Sequence, residues 1–209
     1  MREQNWRKLE LRPRVINRRE PGAMELVSGL LWVIIEERKN GDWRPVQPQE
    51  LAVRGLSPRT AMNYALKRLQ NAASPFNWHS IKEAPGVHVF TTGDACSAAH
   101  LLLLKQRFTQ WPEGGVIAGC PSEELLVCTS IHAVEDLDRL ILLADACKVA
   151  AAQAQHPLTD QLFWCDGERW LHLPVVTQGQ QLHIIPPTSF RKCLDQLAAL
   201  GLVALAGEA

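Results

Sequence analysis

The sequence predicts an α+β fold in which short antiparallel β-hairpins form a mixed sheet covered by three to four helices. Two turn dipeptides, Asn40-Gly41 and Asp166-Gly167, tolerate positive φ, and each separates two apolar stretches. Apolar residues recur at helical spacing in several other stretches. The composition, 46% hydrophobic and 21% charged, is typical of a globular chain and excludes a disordered, collagenous or coiled-coil one.

The turn signals and apolar runs give the order of the elements. Predicted hairpins join residues 29–37 to 43–46, 78–82 to 87–90, 116–120 to 125–131 and 161–165 to 169–175, and a further strand covers 181–185. Helices are predicted over residues 58–72, 95–108 and 134–155, with a last one from residue 189. Ser57-Pro58 supplies an N-cap and a proline at the first helical position for the helix over 58–72.

The charge distribution predicts a basic N-terminal arm over residues 1–22 and a single α+β domain over 23–209. Residues 1–20 hold seven basic and three acidic residues, whereas the whole chain has 22 of each. This stretch lacks an apolar period, so we expect it to be solvated or to pack on the acidic body, and to add little to the core. A neutral chain has no global field that would draw nucleic acid or an acidic membrane.

The cysteines and apolar runs predict a cytoplasmic protein. Six cysteines are scattered without a CxxC pair, so we expect reduced thiols that hold no zinc. The N-terminus lacks the apolar stretch of a signal peptide, and the longest apolar runs, 30–35 and 101–104, are too short to cross a bilayer. We therefore expect no membrane partner.

The sequence predicts neither a metal site nor a cofactor. Cys96 and His100 stand one helical turn apart, as zinc ligands can, but two ligands do not make a site. The GxGxxG, GxxxxGK, GxSxG and HExxH signatures are absent from the sequence. No residue is therefore assigned a catalytic role, and whether the chain is an enzyme stays open.

Five residues are candidates for binding a partner. Asp94 stands at a strand-to-helix step, where it can also serve as an N-cap. Glu123 and Glu124 occupy a hairpin loop and should point to opposite sides if that loop is extended. Trp164 and Trp170 flank the turn at Asp166-Gly167, where they either cover the sheet or anchor a partner.

Several short motifs occur in an order known from one protein family. They are Gly55-Leu56-Ser57, Ala65–Leu69, Gly93-Asp94, Gly119–Leu126 and Pro157-Leu158. In this order the chain resembles the bacterial YtpQ-like family, a domain of unknown function, over about residues 24–175. The resemblance implies a mixed α/β fold and a bacterial origin, and it supplies no activity.

One family feature is matched in part. Members tend to carry a proline, an acidic residue and leucines between two strands, which Pro121, Glu124, Leu125 and Leu126 would satisfy. The residue before the acid, basic in the family, is Glu123 here. The resemblance therefore does not carry a shared ligand chemistry to this loop.

Three functional hypotheses follow from the sequence. The leading one is a non-catalytic module that binds an unknown protein partner, because catalytic signatures are absent and seven tryptophans are many for 209 residues. The second is an enzyme that acts on a small polar substrate through carboxylates such as Asp94 and Glu124. The third is nucleic-acid binding through the basic arm, disfavoured because only Trp6 is interleaved with its charges. The oligomeric state is left open.

Overall fold

The computed structural model describes residues 9–72, 78–82, 84–93, 95–178 and 181–207, and it confirms the α+β fold. A first sheet contains β1 (Leu11–Ile16), β2 (Met24–Val27), β3 (Leu31–Lys39) and β4 (Asp42–Pro45). In this sheet β1 and β2 flank β3, and β4 also pairs with β3. All three pairings are antiparallel.

A six-stranded antiparallel sheet forms the centre of the molecule. Its strands are β5 (Trp78–Ile81), β6 (Ala84–Phe90), β7 (Val116–Ser122), β8 (Leu125–Ser130), β9 (Leu162–Cys165) and β10 (Trp170–Leu173). They lie in the order β10-β9-β7-β8-β6-β5. A separate hairpin joins β11 (Val175–Gln178) to β12 (Gln181–Ile184).

Both faces of the central sheet are covered, so its strands are apolar on both sides. Val116 and Ala118 of β7 belong to a core shared with the first sheet, and Ile117 between them belongs to a core on the other face. Helices α1 (Pro48–Val53) and α2 (Pro58–Ala72) contribute to the first core. Helices α3 (Arg139–Gln153) and α4 (Thr188–Gly207) cover the second.

The elements that the sequence predicted best are those bounded by a recognisable turn or helix cap. Asn40 and Gly41 adopt φ values of 54° and 97° between β3 and β4, as the hairpin requires. The Oγ of Ser57 accepts a hydrogen bond from the Thr60 amide at 3.1 Å, which is the predicted N-cap of α2. The predicted hairpins β5–β6, β7–β8 and β9–β10 are likewise present.

The expectation that the basic arm over residues 1–22 adds little to the core is wrong for the part of that stretch that the structure describes. Residues Leu11–Ile16 form β1, which pairs with β3 along its whole length. Leu11 and Val15 are each 1% exposed and face α2, so this segment belongs to the core. The domain therefore includes β1 rather than starting at residue 23.

The helix predicted over residues 95–108 is instead a 3-10 helix over Ala98–Gln106. Six of its nine residues are buried, so nearly every side of this helix is covered by the rest of the chain. The helix predicted over 134–155 also begins with a 3-10 turn, Val134–Asp138, before α3.

Candidate functional site

Strand β1 brings two arginines to the face of the first sheet that lies opposite α2. Leu11, Pro13 and Val15 point toward α2, so Arg12 and Arg14 point away from it. Glu36 of β3 stands directly opposite Arg12 in the antiparallel register. This places a carboxylate within reach of both guanidinium groups.

Arg12, Arg14, Glu36 and Glu123 form a continuous ion-pair network, which we call the inter-sheet network. Arg12 Nε donates to Glu36 Oε2 at 2.8 Å, and Arg14 Nη1 donates to Glu36 Oε1 at 2.9 Å. Arg14 Nε and Nη2 donate to Glu123 Oε1 at 3.1 and 2.6 Å. Glu36 is 1% exposed and Glu123 is 7% exposed, so both carboxylates are buried with their charge compensated.

Arg14 connects the two sheets, because Glu36 lies in the first sheet and Glu123 lies in the turn between β7 and β8 of the central one. Burial on its own would lower the pKa of Arg14, but the hydrogen bonds to Glu123 and Glu36 outweigh it and raise this pKa above its ordinary value. The guanidinium therefore stays charged at any pH at which the protein folds.

Main-chain hydrogen bonds on two sides fix the position of Glu123. Its carbonyl accepts from the Ala98 amide at 3.1 Å, and the Leu158 amide donates to the Pro121 carbonyl at 2.9 Å. The side chain of Glu123 turns inward while Glu124 is exposed. These two neighbouring carboxylates thus face opposite sides of the turn.

A cleft of about 450 Å³ opens beside the inter-sheet network. Arg14, Arg18, Glu20 and Glu123 line it together with His156 and neighbouring apolar side chains. Asn17 also lines it, and its Nδ2 donates to the carbonyls of Pro157 and Leu158 at 3.2 and 3.0 Å. The cleft is therefore polar, open to solvent and built from both sheets.

The cleft still has hydrogen-bond donors to offer. Three N–H groups of Arg14 are used by Glu36 and Glu123, which leaves two of the five that a guanidinium carries, and 31% of this side chain is exposed. Arg18 is 80% exposed and pairs with Glu20 through Nε at 3.0 Å. Its terminal Nη groups have no partner among the described residues.

The structure separates the five sequence-predicted binding residues. Asp94 lies outside the described residues. Trp164 is 2% exposed and its Nε1 donates to the Gly114 carbonyl at 2.8 Å, so in the folded chain it has no surface to offer a partner. Trp170 is half-buried against the first core, whereas Trp164 packs into the second. These tryptophans therefore lie on opposite faces of the sheet, and among the four described candidates only Glu123 lines the cleft.

Sequence reasoning missed Arg14, Asn17 and Glu36, which shape the cleft. The alternation of apolar and basic residues in Leu11–Ile16 was the signal for a strand with one charged face. The partners of that face could not be found in the sequence, because Glu123 is 109 positions from Arg14.

Nothing in the described residues groups three or more histidine, cysteine or acidic side chains as a metal site would. Cys96 and His100, the pair considered as zinc ligands, are 3% and 0% exposed. The ring of His100 contacts that of Phe90 at a centroid distance of 4.5 Å. Both side chains therefore act as parts of the core.

Thiol accessibility gives a direct test of this packing. Burial raises the pKa of Cys120 and Cys128, and it raises that of Cys147 to about 12. Only Cys193 is partly exposed, since the other cysteines are buried. We expect a chromogenic thiol reagent to modify Cys193 in the native protein and all six cysteines in denaturant. Fast native modification in a Cys193→Ser variant would contradict the burial of the other thiols.

Comparisons of the chain with protein-family models, with curated proteins and with solved structures found no match. The YtpQ-like resemblance thus stays a prediction from the sequence. The fold and the cleft define the chain as an antiparallel α+β protein with a polar inter-sheet cleft. Within the described residues, no helix is both long enough and apolar enough to span a membrane.

Proposed function

We propose that the protein is a non-catalytic binding module whose cleft takes an acidic segment of a partner protein. The observation that carries this proposal is the pair of arginines, Arg14 and Arg18, which line one open cleft with N–H groups to spare. Guanidinium groups bind carboxylates through paired, charge-assisted hydrogen bonds.

The shape and lining of the cleft favour a protein segment over a small metabolite. The cleft is open rather than enclosed, and Ile16, Pro45 and Leu158 supply apolar wall beside the arginines. An acidic side chain could meet the guanidinium groups while its neighbours pack on these walls. A closed pocket would suit a small metabolite better, because it would bury most of the ligand's surface.

The described carboxylates argue against the carboxylate-enzyme hypothesis, whose other candidate, Asp94, lies outside the described residues. Glu123 is bound by Arg14, and Glu20 by Arg18. Glu124 is exposed in the turn, away from the buried side chain of Glu123. A general acid–base pair needs carboxylates that face a substrate and exchange protons with it. The two that line the cleft instead hold arginines in place.

Few of the described basic residues of the arm are free to bind a nucleic-acid backbone. Arg12 is paired with Glu36 and stacks over the ring of Trp43 at 4.2 Å, and Arg14 keeps only two of its five N–H groups, both beside the cleft. A nucleic acid is held by several cations spread along its phosphates, whereas these donors are confined to one cleft. The described part of the basic segment therefore serves the fold and the cleft.

The proposal is tested by selecting ligands from a library of short peptides of random sequence on the immobilised wild-type chain. We expect the selected peptides to be enriched in Asp and Glu. Their affinity should fall about tenfold or more in Arg18→Glu, because the exposed donor at the cleft becomes a like charge. Arg59→Glu is the matched control, since Arg59 is exposed on α2, which packs against the other face of β1.

Three results would count against the proposal. The first is a set of selected peptides without enrichment in acidic residues, and the second is equal binding of these peptides to Arg18→Glu and to wild type. The third is turnover: cleavage or chemical change of a selected peptide by the wild-type chain would favour the enzyme hypothesis instead.

A further inference from the structure

The outward face of α3 is apolar and carries one charge of each sign. Leu140, Leu143 and Cys147 are buried against the central sheet. On the opposite side Ile141 is 41% exposed, Leu142 47% and Val149 55%. We define these three residues with the exposed Asp145, Lys148 and Ala152 as the α3 face. At 100° per residue, Asp145 lies at its centre and the other five lie within about 60° of it.

The charged residues of the α3 face are not satisfied within the chain. Asp145 and Lys148 have no ion-pair partner among the described residues, although they are three positions apart on the helix. Apolar residues precede them at 141 and 142 and follow them at 149. A partner surface that covers this face must therefore supply a cation opposite Asp145 and an anion opposite Lys148.

A second copy of α3, running antiparallel, has the required complementarity. A twofold axis between residues 146 and 147 places Asp145 of each copy opposite Lys148 of the other, which forms two equivalent ion pairs. The same axis places the large side chain of Ile141 opposite the small Ala152. Isologous contacts of this kind need a surface that is complementary to itself.

We propose that the protein self-associates into a twofold dimer through the α3 face. Because the net charge of the chain is zero, two copies do not repel each other through their net charge. One helix pair covers less area than the roughly 1,200–2,000 Å² of a stable interface, so the dimer is weak and concentration-dependent. This proposal does not depend on the ligand of the cleft, which involves β1 and the β7–β8 turn instead.

Sedimentation velocity from micromolar to millimolar concentrations tests the proposal. We expect the sedimentation coefficient of the wild-type chain to rise with concentration. Asp145→Lys should raise the dimer dissociation constant about tenfold or more, because it places only positive charges at the contact. Lys148→Asp should have the same effect. The double variant with both changes should recover dimerisation, since exchanging the two charges keeps the antiparallel pairing.

Exposed apolar side chains give a matched pair of controls. Val149→Glu should abolish dimerisation because it adds a charge inside the α3 face. Val53→Glu should leave it unchanged, since Val53 is 89% exposed at the end of α1. Far-UV circular dichroism of each variant separates loss of association from loss of fold.

Three results would contradict the proposal or its geometry. A wild-type chain that stays monomeric at every concentration overturns the proposal, including the case in which the α3 face binds a different protein. A dimer that survives Asp145→Lys, Lys148→Asp and Val149→Glu places the interface elsewhere. A double variant that fails to recover dimerisation while each single variant loses it excludes the antiparallel geometry.

Discussion

A chain that lacks residues 1–19 should not fold, whereas a chain that begins at Leu9 keeps β1 and serves as the reference. The deletion removes Leu11, Val15 and Ile16, which are 1%, 1% and 6% exposed. Burial of such side chains contributes about 1.5–3 kcal/mol each, or about 5–9 kcal/mol together. That range is comparable with the whole stability of a typical domain, about 5–15 kcal/mol.

The deletion also removes the cations of the inter-sheet network. Glu36 would lose both Arg12 and Arg14, and Glu123 would lose Arg14. Any part of either carboxylate that stays buried would then carry an uncompensated charge, which adds to the loss of apolar burial. The sum exceeds what the remaining contacts of a marginally stable domain can offset.

Urea unfolding followed by far-UV circular dichroism and tryptophan fluorescence measures this difference. We expect a cooperative transition for the chain that begins at Leu9 and none for the shorter chain. The prediction fails if both chains unfold at the same urea midpoint, because β1 would then contribute nothing to the stability of the sheet.

The features that the sequence predicted correctly depend on residues that are close together in the chain. The Asn40-Gly41 step and the Ser57 cap act within a few positions of themselves, so their consequences can be derived without knowing the fold. The six-residue pattern of β1 is equally regular. Its three polar or proline positions nevertheless favoured a solvated arm, because the residues that pair with the two arginines are far away in the chain.

The candidate site depends even more on contacts between residues that are far apart in the chain. Glu123 was a candidate from its place in a hairpin loop, but its ion pair with Arg14 joins residues 109 positions apart. Trp164 and Trp170 were candidates because they flank one turn, yet the alternation of side chains along a strand puts them on opposite faces. The packing of the two sheets determines which residues line the cleft. The periodicity within one strand does not predict how two sheets pack.

Strand β1 thus links stability to the proposed binding role. Its apolar positions fill the first core, and its Arg14 pairs with the central sheet and lines the cleft. A change in Arg14 would alter both properties, so it cannot separate them. Arg18 lies beyond the end of β1 and is the better probe of binding, while Glu36 is the better probe of stability.

Replacing Glu36 with glutamine should lower the free energy of unfolding by about 3–5 kcal/mol, the range measured when one partner of a buried ion pair is removed. Glu36 is 1% exposed and accepts hydrogen bonds from Arg12 at 2.8 Å and from Arg14 at 2.9 Å. The glutamine amide has nearly the same shape but no charge, and its NH₂ group faces a guanidinium that is also a donor. Arg12, whose side chain is 16% exposed, then keeps its burial and loses its counter-charge.

Equilibrium urea unfolding of Glu36→Gln, of Arg12→Gln and of the double variant measures this effect as a double-mutant cycle. The double variant should lose less stability than the sum of the single variants, because removing Arg12 also removes the uncompensated charge. Glu135→Gln is the matched control at an exposed position, where we expect a change within about 0.5 kcal/mol. A Glu36→Gln variant as stable as this control would show that the inter-sheet network does not stabilise the fold. Additive losses would instead show that Arg12 and Glu36 act independently despite the 2.8 Å between Nε and Oε2.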